Sequence, residues 1–444
     1  MFPKLSRELV CILSLSVCFM LLFAADYSMV NMQKIVVSSI ADDNPGFEVE
    51  GYTVTGITYT MFAITLWFGP YINYAVGTRL TMAISALGYL FYVGSYAMET
   101  EWAIYAGGVS VGIAAGTLWP AQGHYMIENS SPETTPRNVG IFWFIFMSSN
   151  MLGNIFVYFA FHGKKYIGQT TRRTAIYSLI VINTLAVISF MFLPKSASTQ
   201  KVRDYGPIKT MRQSWRILVS PKMLWLVLTF CYTGLQQAFW NGIYSPSVGF
   251  TLAFGDSAKE LVALSGIFMT FGAVFGALCL IVLSGWIRGH RYARRMFVLA
   301  GCTAQMLAYL ISYINLPNSA VFGNTHEQSL ITPSAKLAMT ASLLLCFGDS
   351  CLSTQIYSLI GDFYRESSAE ACALYKFVKG VLVAVSFYWC SHLGLHTQLV
   401  IIAVMAVVGG AAFFVADRPS DVSHPVRKDN IVSTSSNGYE NSKV

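Results

Sequence analysis

Apolar residues in this chain neither alternate in twos nor recur as narrow helical stripes. They run almost unbroken for about twenty positions at a time, separated by short polar stretches. The runs fall at Leu9–Val30, Tyr52–Tyr74, Leu80–Met98, Trp102–Met126, Asn138–Phe161 and Ala175–Leu193. A second set follows at Met223–Gly249, Leu261–Trp286, Met296–Ile314, Lys336–Gly361, Ala371–Leu393 and Thr397–Ala416. Each approaches the ~20 residues that a helix needs to cross the hydrocarbon core of a bilayer. The pattern predicts an all-α polytopic membrane protein with twelve transmembrane helices in two six-helix halves, residues 1–194 and 223–416. Residues 195–222, rich in Lys and Arg, read as a cytoplasmic basic linker, and 417–444, poor in apolar residues, as a disordered cytoplasmic tail. Lys4 and Arg7 precede the first run as they would a signal peptide. That run is too long, and "LLFAADY" lacks a small-x-small cleavage pattern, so it is expected to stay as the first helix.

Composition agrees with a lipid environment. Hydrophobic residues make up 54% and charged residues only 11%, against roughly 25% charged in soluble domains. The formal charge of +7 needs no nucleic acid, because the basic residues gather in loops that would face an anionic leaflet. Lys and Arg collect at Arg7, Arg79, Arg137, the linker and the Arg288–Arg295 loop. This bias places both termini in the cytoplasm. One loop objects: "HGKKYIGQTTRR" should face outward yet carries four basic residues. All nine cysteines fall inside the apolar runs, so no disulfide framework is expected. The chain has no GxSxG, GxxxxGK[ST], HExxH or CxxC pattern, and no cofactor or metal set emerges, which points away from an enzyme.

Polar residues inside the runs are the candidate chemistry. Asp349, in "CFGDSCLSTQIY", lies too deep for a short side chain to reach the surface, so it should face the bundle interior, either locked to a neighbouring helix or serving proton or cation coupling. Asp26 is expected near the outer end of its helix, snorkelling outward, and Lys376 and Lys379 are expected to reach headgroups. Stripes at Gly108, Gly112 and Gly116, and at Gly272 and Gly276, permit close helix packing, expected within the bundle. The closing Ser442-Lys443-Val444 could add as a strand to a PDZ-type groove.

Several blocks resemble the Unc-93-like family of the major facilitator superfamily. They include "GIAAGTLWPAQGHYMIENSS", "GIFWFIFMSSNMLGNIF" and "GDSCLSTQIYSLIGDFY", and they occur in order along the chain. The resemblance implies a facilitator fold whose first, fourth, seventh and tenth helices line a cavity. Carried onto this chain, those helices hold Asp26, then Gln122 and His124, then Gln236, Gln237, Trp240 and Asn241, then Asp349 and Gln355. It also implies a role as a non-conducting regulator of a two-pore potassium channel or as an escort of another membrane protein. The alternative is a secondary transporter of a small solute, coupled to protons through Asp349. The loop "INYAVGTRL" lacks the Asp that facilitator transporters carry there, which favours the partner role.

Overall fold

The computed structural model describes residues 6–130, 134–164, 166–196, 212, 215–289, 292–364 and 368–418. Most of the expected linker, and the tail beyond Arg418 with its Ser442-Lys443-Val444 ending, lie outside the described residues. The first part of the chain forms α1 (Arg7–Asp43), α2 (Gly51–Leu66), α3 (Gly69–Val76), α4 (Thr78–Ala97), α5 (Glu101–Glu128), α6 (Thr135–Phe161) and α7 (Gln169–Met191). The second part forms α8 (Pro221–Ala238), a π-helical turn (Phe239–Ile243), α9 (Tyr244–Phe250), α10 (Glu260–Gly289), α11 (Ala293–Asn315), α12 (Ala335–Phe363), α13 (Ser368–Cys390) and α14 (Leu395–Ala416). Among the described residues there are no strands, apart from one isolated bridge between Thr251 and Thr325.

Ten helices among the described residues are long and apolar enough to cross a membrane. Two further helical runs, α2–α3 and α8–α9, are interrupted and stand where the second and seventh apolar runs lie. The causes are local. Pro70 sits in the first turn of α3, where its missing N–H costs nothing, so the helix restarts there instead of continuing. Pro246 is the third residue of α9, and the π-helical turn before it absorbs the hydrogen bond that proline cannot make.

Glycines decide which helices touch. A side chain at Gly112 would come within 2.4 Å of the Thr58 carbonyl, and Gly108 and Gly116 abut Val54 and Thr65, so the stripe on α5 seats α2. In the second half the stripe is on α10, where a Cβ at Gly272 would lie 2.0 Å from the Leu343 carbonyl and one at Gly276 would lie 2.8 Å from Ser350 Cβ, against α12. The two parts meet where α2 packs on α13 and α6 packs on α10. In the second seam, Asn150 donates to the Thr270 hydroxyl at 2.9 Å, and within the first half Asn31 of α1 donates to Asn154 of α6 at 2.8 Å.

The start of α1 and the end of α14 define a proximal face. The opposite, distal face is tied by buried basic residues. Arg172, fully buried, donates to the Ser39 carbonyl and hydroxyl, to Asp43 at 2.8 Å and to Glu99 at 3.1 Å. Glu99 turns the chain between α4 and α5 with φ of 50° and also pairs with Arg173. Two of the basic residues in the objecting loop are therefore neutralised by acids within the fold. The nine cysteines are free.

Candidate functional site

A cavity of about 300 Å³ opens between the two halves. Its distal end is closed by packing, with the buried Phe387 stacked on Tyr52 and on the lining Tyr59, and with Gly249 against Ile35. Toward the proximal face, Trp143 and Tyr357 both line the cavity and stay exposed, so it is open on that side.

Asp26 occupies the first-half wall. Because α1 is 37 residues long, Asp26 lies near its middle, roughly 28 Å along the axis from Arg7 at 1.5 Å per residue. Its side chain is 9% exposed and lines the cavity. Among the described residues it accepts no hydrogen bond and meets no cation. Tyr27, Tyr59, Tyr89 and Tyr92 surround it along the same wall. The expectation that Asp26 snorkels to the outer surface is wrong, because α1 continues well past Val30 and carries the carboxylate into the bundle.

The second-half wall is different. The π-helical turn and the end of α8 present Gln237 and Asn241, whose amides donate to the Tyr59 hydroxyl at 3.4 and 3.0 Å across the cavity. Trp240 lines the cavity beside them. Asp349 stands behind this wall, 20% exposed, and is not itself a lining residue. It accepts a 2.6 Å hydrogen bond from Gln236 and a longer one from Ser353, and the Lys379 ammonium is 4.0 Å away. Gln236 in turn accepts from Gln305, which accepts from the Tyr232 hydroxyl. The chain of polar groups thus runs from the cavity wall into the core of α8, α11 and α12.

Three candidates lie elsewhere. His124 sits near the proximal end of α5, hydrogen-bonded to Thr78 at 3.1 Å and 3.6 Å from Glu128. Gln122 is not among the lining residues, and Gln355 is buried in α12. Sequence reasoning aimed Lys376 and Lys379 at lipid headgroups, whereas both line the cavity. Lys379 takes Asp349, whereas Lys376 has no acidic partner among the described residues and lies over the Trp119 ring at 5.6 Å. Tyr59, Gln305 and Tyr232 were also missed; Gln305, inside the apolar "GCTAQMLAYLISYI", was the readable signal.

Comparison with known proteins gives two kinds of likeness. The family model described as "Ion channel regulatory protein UNC-93" matches residues 47–414. The UNC93-like protein MFSD11 of Xenopus laevis is 33% identical over 431 residues, covering 92% of this chain and 96% of that protein. The UNC93-like protein 3 of Arabidopsis thaliana is 22% identical over 411 residues, covering 88% and 82%. Among solved structures, the nucleoside transporter NupG superposes with a TM-score of 0.68 at 11% identity, over 92% of this chain and all of that one. This last likeness carries the fold alone.

Proposed function

The chain belongs to the UNC-93 family, and we propose that it is a secondary transporter that moves a small charged solute by alternating access. The observation that carries the reading is Asp26. An unpaired carboxylate at the bilayer midplane costs about 2.5–3.5 kcal/mol on insertion scales, and among the described residues no donor or cation offsets that cost. Such a group is retained where a ligand or proton uses it. Residues 1–194 and 223–416 then act as two rigid halves rocking about the cavity. Both termini lie in the cytoplasm, so the open proximal face is the inner one. The coupling carboxylate is Asp26 and not Asp349, because Asp349 is already engaged by Gln236 and Lys379.

A second reading follows from the family's description as an ion channel regulatory protein: the chain binds a potassium channel or another membrane protein, and its lipid-facing surface matters more than its cavity. The two readings separate in one design. Purified protein in liposomes is given an acid-inside or acid-outside gradient and a mixed pool of labelled small metabolites, while co-expressed two-pore potassium channels are recorded with and without it. Gradient-dependent accumulation that disappears with Asp26→Asn supports the transporter. Unchanged accumulation in that variant, or altered channel current with no accumulation, overturns it.

A further inference from the structure

Resting on that reading, we propose that the central cavity takes a zwitterion whose ammonium and carboxylate are held apart by an apolar or aromatic spacer. Among the described residues, the cavity contains one anion and one cation without a partner of opposite charge. Asp26 is the anion, buried and without a donor among the described residues. Lys376 is the cation; the neighbouring lysine is already beside Asp349. An aromatic pair links the two charges. Phe23 is one turn before Asp26 on α1, its ring meets that of Trp119 at 5.4 Å, and the Lys376 ammonium is 5.6 Å from the same Trp119 ring.

Each alternative ligand leaves one charge unanswered. A simple amine satisfies Asp26 but leaves Lys376 uncompensated in a cavity of low polarity. A simple carboxylate does the reverse. A zwitterion with adjacent charges cannot span the Phe23–Trp119 pair. A spaced zwitterion answers both groups, and its apolar middle rests on the two rings, where burial is favourable. A volume of about 300 Å³ is the small end of ligand pockets, which fits a compact molecule.

The test uses three isosteric probes, 4-(aminomethyl)benzoate, 4-methylbenzylamine and 4-methylbenzoate, titrated by calorimetry into the full chain in lipid nanodiscs. The zwitterion is expected to bind about tenfold or more tighter than either singly charged probe, because each buried charge gains a charge-assisted hydrogen bond. Asp26→Asn should remove the advantage over 4-methylbenzoate while 4-methylbenzoate binds at least as tightly as before. Lys376→Gln should remove the advantage over 4-methylbenzylamine while that amine binds at least as tightly as before. The probe that still binds reports that each variant has folded. Equal affinity for the three probes, no binding of any, or a zwitterion affinity indifferent to both substitutions overturns the ligand class. Zwitterion binding with both charge-specific losses but no uptake into liposomes keeps the ligand class and rejects the transporter. Uptake of a singly charged solute at undiminished affinity does the opposite.

Discussion

The two walls of the cavity each carry a carboxylate at membrane depth, and the two are held in opposite ways. Asp349 is built in: an amide, a hydroxyl and an ammonium converge on it from α8, α12 and α13. Asp26 is left facing the cavity with tyrosines around it and no donor among the described residues. Burial of a charge is costly unless it is paired and hydrogen-bonded. A carboxylate with partners therefore stabilises the fold around it, and one without partners weakens the fold in exchange for a ligand's or proton's grip. The difference lies in the partners each helix brings, since both residues are aspartates in the middle of long helices.

The largest expected effect comes from disturbing the glycine seams on which both walls rest. Gly272→Val forces α10 off the Leu343 carbonyl and Gly112→Val forces α5 off Thr58. Each should lower stability by about 1–3 kcal/mol or more, read as a fall in the thermal midpoint of detergent-solubilised protein. If the second half tolerates its valine while the first does not, the two seams are not equivalent supports.

Next come the two lysines, three residues apart on α13. Lys379→Met leaves Asp349 without its cation and should cost about 2–4 kcal/mol, because a buried pair broken on one side strands the other charge. Lys376→Met strands no acid and should leave stability unchanged or raise it, because an uncompensated charge is removed. Equal losses in a thermal melt would mean that Lys376 has a structural partner as well.

The sequence carried much of this architecture and little of the distinction between the carboxylates. Unbroken apolar runs located the crossings, and the Gly and Pro residues of "CYTGLQQAFWNGIYSPSVGF" are a legible signal for the π-helical turn at Phe239–Ile243. The interruption before Gly69 was not anticipated, although Pro70 is its cause. Asp26 was misplaced because hydropathy ends the first span at Val30, whereas the helix carries polar residues such as Asn31 and Gln33 onward to Asp43 by burying them against other helices. Lys376 and Lys379 were misread for a related reason: a helix near the membrane edge can aim long side chains at headgroups or at a cavity, and one sequence does not say which face is turned inward. Two of the partners of Asp349, Gln236 and Lys379, come from other helices distant in sequence, and only Ser353, four residues on in the same helix, is local.

A smaller effect separates the distal clamps of the two halves by pH. Burial would push the Glu99 carboxyl up, but hydrogen bonds and the charges of Arg173 and Arg172 hold it below its ordinary value. Its contribution to stability is therefore full above the unfolded value of 4.5 and lost as pH falls through the folded one. Lys259 is clamped by the Gly249 carbonyl and Asn324, and burial lowers its ammonium to about 7 despite the nearby Asp42. Its contribution is full above 10.5 and is lost as pH falls through about 7. Glu99→Gln should flatten the acid limb of the melting-temperature profile, and Lys259→Met should flatten the rise between neutral and alkaline pH. Profiles that keep both limbs in the variants would show that other groups set them.

The division of labour between the carboxylates is tested most directly by comparing the thermal midpoints of Asp26→Asn and Asp349→Asn in the same nanodiscs. Asp26→Asn is predicted to leave the midpoint unchanged or raise it, because an unpaired buried charge is removed, and Asp349→Asn is predicted to lower it, because Lys379 loses its counter-charge. A fall for Asp26→Asn as large as that for Asp349→Asn, or the reverse order, would contradict the account.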